Sequence, residues 1–503
     1  MARRRRVRKQ TNAIAQLPWR QPRHVHGTLS VLDEEGLDAI HNASMRVLEE
    51  LGIELWSESA RQLFKDAGAI IEGDVVRVGR DIIEAALASA PSKFTLTPRN
   101  LERAITFGDD QMAFGLVAGP AAVHDEVNGR RPSNMADYEN FIRLAHYFNA
   151  IHMIGNQVAA PIELPANNRH LDTYRANVKL CDLTFHCTAI GRARAMDGIN
   201  MMAISRGISV EEMMDSPGVS TIISVNSPRR FDEEMAHGLM AMSEHGQAVS
   251  VTPFTLMGAM TPVTLGAALT QQNAEALFGI ALTQLTRPGA PVMYGSFTSN
   301  VDMRSGAPAF GTPEQTKANV ASGQLARRYG LPYRSSNSSA SNVVDAQAAY
   351  ETEMSLWGSV LGGTHLVYHA AGWMEGGLQA SYEKFVLDVE LLQHMMEFLT
   401  PIDVAEDELA FDAMTRVPTG GHFFGDEHTL ARYETAFYAP MLSDWQNHGA
   451  WTEAGSKTAT QRATQIWQQA LADYKEPGMD AGASDALDEY VAKRKEAIGD
   501  GDP

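Results

Sequence analysis

The chain has 503 residues, 44% of them hydrophobic, and 42 basic against 61 acidic side chains give a net charge of −19. That length can bury a large core, as one big domain with additions or as two or three domains, and that charge argues against broad nucleic-acid or acidic-membrane binding. Two cysteines, Cys181 and Cys187, are too few for a disulfide framework, and no apolar run reaches the ~18 residues that span a bilayer, so a soluble cytoplasmic protein with reduced thiols is expected.

The amino terminus, Met1 to Lys9, is basic, but no apolar stretch follows it as a secretory signal would require. It reads as a solvated arm or as a contact for an acidic partner. With the proline-containing residues up to 26 it makes an extended or disordered arm, residues 1–26. Helices are expected over Glu34–Leu51, with Asp33 as N-cap and Gly52 past the end, over Ser59–Ala67 and over Arg80–Ser89. Residues 27–110 therefore read as an α-rich N-terminal region.

Between Met112 and Arg130 the pattern turns to strand, with an Asn128-Gly129 turn signal. A regular rhythm follows. Strand-like runs begin at Met153, Leu183, Val219, Ala248, Pro291, Leu331 and Thr364, with a helical segment between each and the next. Such alternation means a parallel sheet, and seven or eight units close most readily into a (β/α)8 TIM-like barrel, placed at residues 111–400. The eighth strand is assigned to Ile402-Asp403-Val404. No Gly-x-Gly-x-x-Gly or Walker loop follows a strand, which counts against a nucleotide-binding fold. A mixed C-terminal region, 401–475, packs on the barrel, and a frayed acidic tail, 476–503, closes the chain.

In a barrel the strands' carboxyl ends carry the site. Here they are Gln157, Thr188, Asn226, Phe254, Ser296, Phe297, Arg334, Tyr368 and His369. Amides, hydroxyls and aromatics dominate, whereas glycoside hydrolysis or enolate chemistry would want paired carboxylates there. Arg334 ends a buried strand, and a buried guanidinium needs an anion. Either a protein carboxylate such as Asp345 or Glu351 supplies it, or a ligand does. Phe254, Tyr294, Phe297, Tyr368 and Trp373 include two or three that could cage a quaternary ammonium. His365 and His369 lie four apart on a strand, about 13 Å, and His186-Cys187 are strand neighbours facing opposite ways, so no metal is expected. His186 and His365 read as core histidines; His369 reads as functional.

The segment Asp345-Ala346-Gln347-Ala348-Ala349-Tyr350-Glu351 follows a serine-rich loop, and Gly376-Gly377-Leu378 follows Trp373. Gly420-Gly421-His422-Phe423-Phe424-Gly425 precedes His428-Thr429, and Leu48-Glu49-Glu50-Leu51-Gly52-Ile53 ends the first helix. In this order and spacing, from about Leu29 to Tyr474, the chain resembles the trimethylamine methyltransferase superfamily. The resemblance implies a (β/α)8 barrel that passes a methyl group from a methylamine to the Co(I) of a separate corrinoid protein. Founding members carry pyrrolysine in the loop matching Ser335–Ser341, where this chain has ordinary small residues. It therefore resembles the branch acting on quaternary amines such as glycine betaine, with Arg334 and His369 matching the positions that hold the carboxylate. On that reading Arg334 and His369 orient the substrate, with Tyr368, Trp373, Phe254, Phe297, Tyr294, Gln157 and Asn226 lining its pocket and no general acid or base. The implied partners are a quaternary-ammonium substrate, a corrinoid-binding protein and further copies of the chain, with neither nucleic acid nor membrane. A lyase or hydrolase using His369 and Arg334, and a non-catalytic betaine-binding protein, are the competing readings.

Overall fold

A computed structural model describes residues 14–499; the basic stretch Met1–Lys9 lies outside them. Eight parallel strands form the barrel: β1 Ala113–Phe114, β2 Met153–Ile154, β3 Thr184–Cys187, β4 Val219–Ile223, β5 Ala248–Val251, β6 Val292–Gly295, β7 Tyr333–Ser336 and β8 Leu366–Tyr368. Consecutive strands pair from β2 to β8, and β8 pairs with β1. A parallel bridge from Gly115 to Met153 closes the ring. The helices that cover it are α1 Met135–Tyr147, α2 Arg169–Leu180, α3 Arg192–Arg206, α4 Glu233–Glu244, α5 Leu265–Thr286, α6 Pro313–Arg328, α7 Ala346–Leu361 and α8 Tyr382–Phe398.

The missing strand is thus β1, not Ile402–Val404, which is exposed and carries no strand. Two paired residues leave no readable alternation, so β1 is recognisable only from its partners Leu366 and Val367. The inner faces hold Ala113, Met153, Ala248, Met293, Leu366 and Tyr368 in one apolar cluster. The hairpin Phe94–Leu96 with Ile105–Phe107 adds its side chains to that cluster, closing the end where the strands begin. Gly115 leaves room for Tyr368: a Cβ there would lie 2.9 Å from the phenol ring.

The expected N-terminal helices form, at Glu34–Arg46, Glu58–Asp66 and Arg80–Ser89, and Asp33 accepts from the Gly36 amide as N-cap. Phe64 stacks on Phe278 of α5 at 4.5 Å. The region also holds three-residue strands, Ile53–Leu55, Ile70–Glu72 and Val75–Arg77, too short to show a period. Residues 14–26 lie across the bottom of the barrel, where Gln21 bonds Thr106 and His24 bonds Thr364.

The frayed tail expected after Glu476 is instead a helix, Ala481–Ile498. It buries Leu487 and Val491, and Arg494 and Tyr490 both reach Asp197 on α3 at 2.6 Å. Its charges pair across to the barrel rather than repelling one another, which composition alone does not show. Among the described residues no helix is long and apolar enough to cross a membrane.

Candidate functional site

Arg334 is the centre of the site. It is 1% exposed, on the inner face of β7, beside Gly295 and Leu366 in the register. Its guanidinium carbon lies 4.9 Å from the Tyr368 ring and 5.7 Å from Phe297. Nη1 reaches the Ser296 carbonyl only at 3.4 Å, and Nε has no partner among protein atoms. Burial draws its pKa down to about 10, so it stays cationic at neutral pH. Among the described residues no carboxylate forms an ion pair with it.

The two carboxylates considered for it are committed elsewhere. Asp345 caps α7 through the Gln347 and Ala348 amides. Glu351 accepts from Ser339 Oγ and the Ala340 and Ser341 amides, holding the serine-rich loop down. The loop after β8 is held just as firmly. A buried Lys384–Asp388 pair on α8 presents Asp388 to the Gly372 amide at 2.7 Å.

An aromatic box surrounds the mouth above Arg334. β5 and β6 continue past the rim as the paired strands Phe254–Met257 and Phe297–Val301, bringing Phe254 and Phe297 to 5.1 Å. His369 stacks on Trp373 at 5.5 Å and faces Phe297 at the same distance. Gly377, with φ +96°, lets Trp373 lie flat, since a Cβ there would meet its ring at 2.7 Å. Phe310 completes the box, 5.0 Å from Trp373 and 5.5 Å from Phe297.

Buried polar atoms without protein partners surround Arg334: its own Nε and Ser336 Oγ on the inner face of β7, His186 Nε2 on β3, and His369 Nδ1 after β8. Asn337 Oδ1, just past β7, is also unpaired, while its Nδ2 donates to the Ala370 carbonyl. His186 Nδ1 is bonded to Ser220 Oγ at 2.7 Å, and its ring meets Tyr368 edge-on. Burial first, then the Arg334 charge, lowers His186 to about 3 and carries His369 well below its ordinary value, so both rings are neutral. His369 adopts φ +54°, a conformation a non-glycine residue takes at a cost of roughly 1–3 kcal/mol. Unpaired buried polar atoms each cost about 1–3 kcal/mol. A pocket accepting such costs is shaped for a polar ligand with an apolar, cationic end.

Five of the residues read from sequence therefore converge: Arg334, His369, Phe254, Phe297 and Trp373, with Tyr368 beneath. Tyr368 is itself positioned by the Asn156 amide, which donates to its hydroxyl at 2.6 Å. Two do not join them. Tyr294 faces outward, because alternation on β6 turns Met293 and Gly295 inward; its hydroxyl donates to Asn273 on α5 at 2.9 Å. Asn226 is exposed beyond β4, where its backbone bridges Arg230 and its side chain accepts from the Asp232 amide. Gln157 stays half-buried at the rim after β2. His365 is a core histidine, accepting from the Tyr333 amide at 2.9 Å. Sequence reading missed Phe310, which sits on an irregular connection, and Ser336; His186 is, as expected, a buried histidine hydrogen-bonded to Ser220. The i, i+2 spacing of Arg334 and Ser336 was the available signal for the latter's inward face. Elsewhere, His146, Cys181 and Asp182 bring ligand-type atoms within 4.8 Å of one another, near the start of β3 and apart from this mouth.

A family model described as trimethylamine methyltransferase (MTTB) matches residues 1–499. The chain belongs to that family. It is 37% identical over 472 residues to the glycine betaine methyltransferase of Desulfitobacterium hafniense strain Y51, covering 94% of this chain and 98% of that protein. It is 28% identical over 470 residues to the proline betaine:corrinoid methyltransferase of Eubacterium limosum, covering 90% and 96%. The trimethylamine methyltransferase MttB of D. hafniense strain DSM 10664 / DCB-2 is 28% identical over 440 residues, covering 86% and 88%. Within the MTTB family, this chain thus meets similar proteins along almost their whole length.

Proposed function

We propose that this chain takes one methyl group from a carboxylate-bearing quaternary ammonium compound, with glycine betaine the first choice. The acceptor is the Co(I) of a corrinoid carried by a partner protein, and dimethylglycine is the other product. One observation carries this reading: a buried, charged Arg334 with no protein carboxylate on it, beneath an aromatic box. The carboxylate would lie on Arg334 and the neighbouring unpaired donors, and the trimethylammonium group against the ring faces, which attract cations. A quaternary nitrogen already carries its charge and leaves as a neutral amine, so displacement needs orientation and desolvation but no general acid. The neutral, weakly basic His186 and His369 fit that demand and suit a lyase or hydrolase base poorly. The names of the glycine betaine and proline betaine relatives support the same substrate class.

The test is calorimetric titration with glycine betaine, dimethylglycine and trimethylamine, on the wild type and Arg334→Ala. Binding of betaine alone, weakened by ~2 kcal/mol or more in the variant, is expected for a carboxylate that loses its buried partner. Methyl transfer to cob(I)alamin then separates an enzyme from a binding protein. No binding of any onium compound would sink the assignment.

A further inference from the structure

The motif Gly420 to Gly425 and His428 play no part in the barrel mouth as described. They lie in an excursion, residues 402–437, that leaves the barrel after α8 and rejoins it where Tyr438 Oη and the Met441 amide donate to Glu390 at 3.0 and 2.9 Å. Three short helices occupy it: Glu406–Leu409, Phe411–Arg416 and Glu427–Arg432. Arg416 ties Asp426 and Glu427 at 2.9 and 3.0 Å, and Arg432 ties Asp407 and Glu408 at 3.5 and 3.4 Å. These ion pairs hold the helices to one another, yet of residues 402–437 only Ala413 is buried.

The apolar side chains of this excursion point outward. Ile402, Phe411, Phe424 and Phe437 are between 70% and 86% exposed, and Leu409, Met414 and Leu430 are exposed beside them. At roughly 150–250 Å² per large ring, the three phenylalanines alone leave on the order of 500 Å² bare, and the four aliphatic side chains add to it. A monomer seldom exposes an apolar patch beyond roughly 300–600 Å², whereas a stable interface needs about 800 Å² from each partner. Helices of four to six residues are also too short to hold in water unaided.

A second bare surface lies on the barrel flank beside it. Tyr350 and Met354, one turn apart on α7, are exposed, as is Phe398 at the end of α8. We propose that residues 402–437 are an exchange arm that lies on the α7–α8 flank of a second copy of this chain, which returns its own arm. One two-fold operation covers both bare surfaces of both copies and closes the assembly. A partner that docks and leaves on each turnover meets a more polar surface with opposed charge. Here Arg416 and Arg432 take up Asp426, Glu427, Asp407 and Glu408 inside the arm, and the apolar side chains stand out between the exposed Asp403, Glu406, Asp412 and Glu434. This inference does not rest on the substrate reading.

The experiment is sedimentation velocity of the full chain at micromolar concentration, with far-UV circular dichroism and thermal melting as checks of folding. The wild type should sediment at twice the chain mass. The arm variant Phe411→Asp/Phe437→Asp and the flank variant Tyr350→Asp/Met354→Asp should each sediment at half that value with unchanged dichroism. Mixing the two variants leaves one intact arm–flank pair per dimer, and association should partly return. A monomeric wild type overturns the proposal, as does an arm variant that stays dimeric. A flank variant that stays dimeric while the arm variant dissociates points to arm-on-arm pairing and overturns the exchange, as does a mixture with no association. A monomeric wild type whose arm variant transfers methyl to free cob(I)alamin but not to the corrinoid protein would reassign the arm to that partner.

Discussion

Replacing Arg334 with methionine should move binding and stability in opposite directions. The side chain is 1% exposed and has a single long hydrogen bond, to the Ser296 carbonyl at 3.4 Å. In the free protein the guanidinium is a buried charge with no carboxylate paired to it among the described residues, set against the rings of Tyr368 and Phe297. Arg334→Met removes the charge and keeps most of the volume. Relieving an unpaired buried charge should raise the unfolding free energy by about 1–3 kcal/mol. A bound carboxylate left without its partner should lose about 3–5 kcal/mol, which is roughly a hundredfold to several thousandfold in Kd. Urea denaturation reads the first quantity and betaine calorimetry the second. A variant that is destabilised by several kcal/mol, or that binds betaine with wild-type affinity, would refute this account. The guanidinium would then be holding the barrel together rather than waiting for an anion.

Betaine affinity should be flat across neutral pH and fall about tenfold per unit above about 10, as free Arg334 loses its proton while betaine's own charges stay fixed; calorimetry in a pH series checks this. His186 is lowered in the fold to about 3 while the unfolded chain keeps an ordinary value, so the unfolded state takes the proton first. Its contribution is present above pH ~6.5 and drains away below it, and His186→Gln should flatten the loss of urea stability between neutral and mildly acid pH. Trp373→Leu should weaken glycine betaine by about 0.5–2 kcal/mol but leave its uncharged carbon analogue, 3,3-dimethylbutyrate, nearly unaffected, because only the cation uses the ring face. Asp388→Asn removes the charge that pairs the buried Lys384 ammonium and leaves one acceptor oxygen where Lys384 and the Gly372 amide now use two, and should cost about 3–5 kcal/mol in urea denaturation; Lys384→Met/Asp388→Leu should recover most of it.

The barrel was legible because buried parallel strands are apolar runs with helices between them, and β2 to β8 each show that pattern. β1 was not, since its two residues gain their strand character only from pairing with β8. The site divides along the same line. Arg334 stood out as a charge at the end of an apolar strand, and His369 and Trp373 as polar and aromatic groups after the next one. Tyr294, expected in the aromatic cage, is absent from it because alternation on β6 turns its ring toward α5 and leaves Gly295 inside. Phe310 had no periodic neighbours to mark it. The bare arm was equally hidden, because an apolar residue in a sequence does not tell whether its cover comes from its own chain.

What makes Arg334 available is the fate of the carboxylates around it. Glu351 and Asp388 are both buried and near the two loops that shape the mouth. Neither forms an ion pair with the guanidinium. Glu351 instead receives three donors from the serine loop, and Asp388 receives Lys384 and the Gly372 amide. The backbone of the two loops is further stitched together where the Glu375 and Gly376 amides donate to the Ser341 and Ser339 carbonyls. The same contacts that fix the loops therefore remove the competing anions. Electrostatic strain concentrated on one residue is the form of preorganisation that favours an anionic ligand end over water. It follows that Glu351→Gln should weaken betaine binding by loosening the serine loop, without touching the ligand. If the variant left affinity unchanged in calorimetry, the loop's order would owe nothing to that carboxylate.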